Sequence, residues 1–148
     1  MWSPNRITTE GFDLEYHNTK PGQSYSLQTL KRANDLDKVL REHGCAGLEI
    51  CGDKIKIKNK HEEHIFRPGN SGPWPCRVAT TVFSDKTAVI SIMCLAIMLW
   101  QEGYIEDLKI GGTDMTAPGG SLGRENGPLW QTAWSIYLSM KEAENASN

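Results

Sequence analysis

The segment 88–100 is apolar at every position except Ser91, and it limits the possible folds more than any other part of the chain. We expect a helix here, capped by Ser84 or Asp85 and ending near Gln101. The run is too short to cross a bilayer, which requires about 20 apolar residues. A helix that is apolar all round must be covered all round. It is therefore expected either to be the central helix of a domain or to have one face closed by a second copy of the protein.

Two more helices are predicted from apolar residues at helical spacing. The first covers about 26–43, with Ser24 or Ser26 as the candidate N-cap and Gly44 at the position of a left-handed C-cap. The last begins at Pro128, a residue favoured in the first helical turn, and runs to about Glu144.

The sequence patterns that predict strands are shorter than those that predict helices. Residues 48–58 form two alternating runs around Gly52, which predicts a β-hairpin with a type II′ turn. Its apolar side chains are expected on one face and its lysines on the other. Further strands are expected at 11–17, 77–83 and 104–110, and the polar stretch 59–76 is expected to be a long connection.

These elements predict an α+β fold. Three helices should pack on a small, mostly antiparallel sheet that includes the 48–58 hairpin. With 148 residues, the chain has the length of about one domain. We expect an irregular N-terminal arm over 1–24 and a single domain over 25–145. A hydrophobic share of 39% excludes a disordered chain.

Composition and the N-terminal residues indicate where the protein is located and which partners it has. The N-terminus has no apolar segment typical of a secretion signal, so a cytoplasmic protein is expected, with no membrane partner. The four cysteines are then expected to be free thiols. The net charge of −2 makes nucleic acid an unlikely partner. The five tryptophans are spread along the chain and are expected to anchor one core rather than to form a cluster.

Residues 111–127, here called the glycine-rich segment, hold six of the 14 glycines. They lie between a predicted strand and the last helix. Glycine permits positive φ and a close approach of backbone amides to a ligand, and a helix N-terminus is a favourable place for an anion. A solvated connecting loop is the competing interpretation.

The first functional hypothesis is a small binding protein, expected to be a homo-oligomer. It would hold a nucleotide or a phosphorylated metabolite at this segment. Glycine amides and hydroxyl groups would contact the anion, Arg124 would supply bidentate hydrogen bonds, and Trp130 would close the pocket. The candidate binding residues are Thr116, Gly119, Gly120, Ser121, Arg124 and Trp130.

The second hypothesis is a zinc-dependent hydrolase or deaminase. His61, His64 and Cys76 would be the metal ligands and Glu63 the general base. The spacing matches no common zinc framework, and a charged, exposed turn is the competing interpretation.

Two further interpretations remain open. The alternating lysines Lys54, Lys56 and Lys58 could follow a phosphate backbone, although such lysines also keep exposed strands soluble. A protein-binding inhibitor or adaptor is the third functional hypothesis, with the glycine-rich segment and the tryptophans as its binding surface.

Overall fold

The computed structural model describes residues 7–9, 12–19, 24–58, 63–67, 81–82, 86–110, 113–115 and 127–146. The elements in chain order are β1 (Ile7–Thr9), β2 (Phe12–Asn18), α1 (Leu27–Glu42), β3 (Leu48–Cys51), β4 (Lys54–Lys58), β5 (Glu63–Phe66), β6 (Thr81–Val82), α2 (Lys86–Gln101), β7 (Ile105–Ile110), β8 (Thr113–Asp114) and α3 (Gly127–Ala146). The predicted α+β fold with three helices is confirmed.

The strands form two sheets, a division that the sequence did not reveal. The larger sheet has the order β6-β1-β2-β7-β8, and only its β1–β6 pair is parallel among the described strands. The smaller sheet is the meander β3-β4-β5. The predicted hairpin is its first two strands, and Gly52 has the positive φ of 64° that a type II′ turn requires.

The N-terminal part of the chain contributes more to the fold than an irregular arm would. The strand expected at 11–17 is β2, which lies in the middle of the larger sheet between β1 and β7. Its Leu14 and Tyr16 are buried in the core, and the Tyr16 ring stacks on Phe66 of β5. The described part of 1–24 therefore belongs largely to the sheet.

The segment 59–76 also departs from the expectation of a plain connection. Residues 63–66 form β5, which pairs with β4 so that Ile55 lies opposite Phe66. The Phe66 side chain is buried in the core. Its burial stabilises a strand in this otherwise polar region.

Helix α2 is the centre of the molecule. It contacts both other helices, β7 of the larger sheet and β4 of the smaller one. Its side chains from Ile92 to Leu99 are fully buried. The polar exception, Ser91, donates its hydroxyl to the backbone carbonyls of Ala46 and Thr87. The part of the apolar run from Ile92 to Leu99 is thus covered within one chain, as in the first of the two arrangements predicted for it, whereas Ile90 and Trp100 are partly exposed.

Helix α1 begins and ends as its sequence predicts. The Ser26 hydroxyl accepts the amide of Thr29 at 3.1 Å, and Gly44 adopts a left-handed φ of 73° after the helix. On its exposed side, Arg41 donates to Asp37 at 2.8 Å, and Asp37 also accepts the amide of Leu48. This link fixes the position at which the smaller sheet starts.

Candidate functional site

Most of the predicted anion-binding residues lie outside the described part of the chain, and their role stays a prediction. These are Thr116, Gly119, Gly120, Ser121 and Arg124. The structure describes two parts of the glycine-rich segment: residues 113–115, which include β8, near its start, and Gly127, the first residue of α3, at its end. Of the six predicted binding residues, Trp130 is described.

The described residues near the start of the glycine-rich segment are fixed to the larger sheet. β8 pairs with β7, with Asp114 opposite Lys109. The next residue, Met115, donates its amide to the carbonyl of Leu108 at 2.8 Å, and its side chain is buried. Residues 113–115 of the glycine-rich segment are therefore attached to the edge of the larger sheet.

The flank after the segment is the first turn of α3, which begins with Gly127 and Pro128. The first amides of a helix have no partner within it, and the helix dipole makes this end positive. The first turn of α3 contains no acidic residue to offset that charge. An anion is the natural complement of such an end.

Trp130 belongs to a group of four rings, here called the aromatic array: Trp100, Trp130, Trp134 and Tyr137. Trp134 is its centre, with ring centroids 6.1 Å from Trp130, 6.2 Å from Trp100 and 5.8 Å from Tyr137. All three pairs are nearly perpendicular, the edge-to-face geometry that aromatic quadrupoles favour.

The aromatic array corrects the expectation that the tryptophans only anchor the core. Three of them come together, and each is half-buried, packed against the core with part of its surface in solvent. Tyr137, by contrast, is 6% exposed. Trp130 and Trp134 both lie on α3. The contact between Trp134 and Trp100 of α2 depends on how the two helices pack, which cannot be predicted from local sequence.

The predicted zinc ligands are not assembled in the part that the structure describes. His61 and Cys76 lie outside it, and His64 is a β5 residue whose backbone lies opposite Ile57. Within the described ranges, no group of three His, Cys, Asp or Glu residues could hold a metal ion. The zinc site stays a prediction.

The described cysteines are free thiols in different settings. Cys94 is buried, donates to the carbonyl of Ala133 at 3.1 Å, and has its pKa raised by burial. Cys51 contacts the Glu49 carboxylate at 3.4 Å, and this hydrogen bond raises its pKa. Both shifts keep the thiol protonated, which argues against these two sulfurs as nucleophiles.

The hairpin carries less net positive charge than the spacing of its lysines suggests. Cross-strand pairing places Glu49 opposite Lys56. Opposite charges on directly paired residues offset each other. The hairpin therefore offers less positive charge to a phosphate backbone than the run of lysines alone indicates.

An ion cluster that the sequence did not predict joins the three helices. Arg32 of α1 donates to both carboxylate oxygens of Glu144 at 3.1 Å and to Glu102, after α2, at 2.6 Å. These hydrogen bonds, first that to Glu144, raise the pKa of Arg32, and Arg32 lowers the pKa of Glu144. The side chains are largely buried, so the cluster connects the ends of α2 and α3 to α1.

A second unpredicted pair lies on the larger sheet. Strand alternation would place Glu106 and Asp107 on opposite faces, but both are exposed. Asp107 has a φ of 53°, and the β2–β7 register shifts between Glu15 and His17. The irregularity turns Asp107 towards His17, and the Nδ1–Oδ2 distance is 2.9 Å.

A groove of about 330 Å³ runs between α1 and α3. Its polar lining is largely engaged within the chain, since Lys31 pairs with Asp35 and Glu144 is held by Arg32.

Comparison with known proteins adds no template for the site. No protein-family model, no curated protein and no solved structure matches this chain. Among the described helices, none combines the length and apolarity needed to span a membrane.

Proposed function

We propose that this protein binds a small anionic ligand, a nucleotide or a phosphorylated metabolite, between the glycine-rich segment and the first turn of α3. One observation carries the proposal. The helix that follows the segment starts with a positive end free of acidic residues and bears the half-exposed Trp130 in that same turn.

The roles in this site follow from the chemistry of each group. The amides of Gly119 and Gly120 donate to the anion, as do the hydroxyls of Thr116 and Ser121. Arg124 forms bidentate hydrogen bonds to phosphate or carboxylate oxygens. Trp130 covers the ligand with apolar surface, which strengthens these polar contacts by excluding water.

A protein-binding adaptor or inhibitor is the second candidate, favoured by the half-exposed tryptophans. Tryptophan is enriched where protein interfaces derive most of their binding energy. The zinc-dependent alternative gains no ligand group from the described residues. A homo-oligomeric state and a cytoplasmic location are further proposals.

The first test is native mass spectrometry of the protein as purified, followed by calorimetric titration with nucleotides and sugar phosphates. We expect a retained anion or a measurable affinity, and at least about tenfold weaker binding for Arg124→Ala, because charge-assisted hydrogen bonds are lost. Arg41→Ala is the matched control, since its guanidinium pairs with Asp37 on α1. That variant should bind like the parent.

Two results would contradict the proposal. A bare chain mass together with no binding across the panel would exclude a small anionic ligand. Equal weakening by both arginine substitutions would show a general charge effect rather than a site at Arg124. A stoichiometric protein complex with no small ligand would favour the adaptor.

A further inference from the structure

The groove between α1 and α3 is lined by apolar as well as charged side chains. Its volume of about 330 Å³ lies at the lower end of the range for pockets that bind small molecules. The apolar lining consists of Val39 on α1 and of Met140 and Ala143 on α3. Met140 is buried and Val39 is half-buried, whereas Ala143 has only a methyl group and so leaves room between the helices. The groove therefore suits a small molecule with an apolar side chain.

Two charged residues of the groove, Lys38 and Glu42, have no hydrogen bond or ion pair within the part of the chain that the structure describes. Both are exposed, and they lie one turn apart on α1. On the same helix, Asp37 and Arg41 have the same separation and form an ion pair at 2.8 Å. An acidic residue four positions before a basic one is the more favourable order, and Lys38 and Glu42 have the opposite order. Their two charges are therefore available to a ligand.

We infer that this groove binds an apolar amino acid in its zwitterionic form. The ligand's carboxylate pairs with Lys38, its ammonium group pairs with Glu42, and its side chain lies on Val39, Met140 and Ala143. The two charged groups of an amino acid are attached to one carbon, so together they can bridge side chains whose Cβ atoms are about 5–6 Å apart. A ligand with a single charge would leave Lys38 or Glu42 without a partner. The site shares no residue with the anion site proposed above, so either proposal can fail alone.

The experiment is a titration with leucine, followed through the backbone amide signals of the protein by NMR. Because both charges are exposed, each ion pair contributes little, and we expect a Kd on the order of 1 mM. The signals that shift should be those of the last two turns of α1 and of residues 140–143.

Three analogues of leucine each lack one of the features that the groove recognises. Leucinamide has no carboxylate, N-acetyl-leucine has no ammonium group, and glycine has no apolar side chain. We expect the first two to bind about threefold more weakly than leucine, the effect of one exposed ion pair. Glycine should bind at least about tenfold more weakly, because it leaves the apolar lining in water.

Substitutions assign each charge to its partner. Lys38→Gln should weaken leucine about threefold and leave leucinamide unchanged, since that analogue has no carboxylate to lose. Glu42→Gln should weaken leucine to the same extent and leave N-acetyl-leucine unchanged. Arg41→Gln is the matched control, because it removes an exposed charge of α1 that does not line the groove. It should leave the binding of all four probes unchanged.

Three results would overturn the inference. The first is that leucine shifts no signal of the groove at 20-fold the expected Kd. The second is that leucine, leucinamide and N-acetyl-leucine bind equally, which would show that the charges play no part. The third is that Lys38→Gln weakens leucine and leucinamide alike, which would show that Lys38 does not contact the carboxylate.

Discussion

Helices α2 and α3 are both rich in apolar residues, but their surroundings differ. α2 contacts both sheets and both other helices, and its side chains from Ile92 to Leu99 are buried. α3 packs against α1 and α2 along one side, keeps Trp130 and Trp134 half-buried, and leaves Leu138 50% exposed. The apolar side chains of α2 therefore serve the core, whereas those of α3 are divided between the core and the surface.

The largest expected effect tests this contrast with one substitution on each helix. Leu95→Asp places a charge in the fully buried interior of α2, and we expect a loss of more than about 4 kcal/mol, enough to unfold the protein. Leu138→Asp makes the same change on the exposed side of α3 and should alter stability by no more than about 0.5 kcal/mol. Urea unfolding followed by circular dichroism measures both.

A large stability loss for Leu138→Asp would show that this side of α3 is not exposed in solution. If Leu138→Asp destabilises the protein strongly, and the loss depends on protein concentration, a second copy covers this side of the helix. Size-exclusion chromatography of the parent and the variant would then show different molecular masses.

The parts of the fold that were predicted correctly have local signals. Ser26 and Gly44 mark the ends of α1, Gly52 marks the hairpin turn, and the unbroken apolar run marks α2. In each case the residue that predicts the feature lies within a few positions of the feature itself. Local propensity and periodicity therefore sufficed for most elements.

The parts that were missed depend on distant residues. Pairing of β2 with β7 aligns Glu15 with Lys109, and Arg32 contacts Glu144 across 112 positions. No short window contains both partners, so neither the division into two sheets nor the ion cluster could be inferred from local sequence. For the candidate site, the sequence identified Trp130 but not the contact between Trp134 and Trp100, for the same reason.

The next effect concerns the ion cluster that ties the ends of α2 and α3 to α1. Arg32→Ala removes the cation that Glu102 and Glu144 share in a largely buried setting, and leaves Glu144 with Lys141 at 4.0 Å. We expect a loss of about 2–3 kcal/mol at neutral pH, below the value for a fully buried pair because some exposure remains. Arg41→Ala, whose side chain is 66% exposed, is the matched control and should lose much less.

The same cluster gives a prediction about pH. Because Arg32 lowers the pKa of Glu144, the folded protein keeps this carboxylate charged where the unfolded chain already binds a proton. The stabilisation is complete above the ordinary Glu pKa of about 4.3 and is lost as pH falls through the lower folded value. The stability difference between parent and Arg32→Ala should therefore shrink in acid. A difference that stays constant down to about pH 3 would show that Arg32 acts through packing alone.

The smallest expected effect is a difference in stability between two substitutions in the aromatic array. Among the described residues, Trp134 takes part in three ring pairs and Trp130 in one, so Trp134→Leu should cost roughly 1–2 kcal/mol more stability than Trp130→Leu. Chemical unfolding of both variants measures this difference. If the two losses are equal, the ring contacts do not order the array, and Trp130 is held by other core contacts. A small loss for Trp130→Leu would instead mean that this ring is not retained for stability, which is the property expected of a surface kept for a ligand.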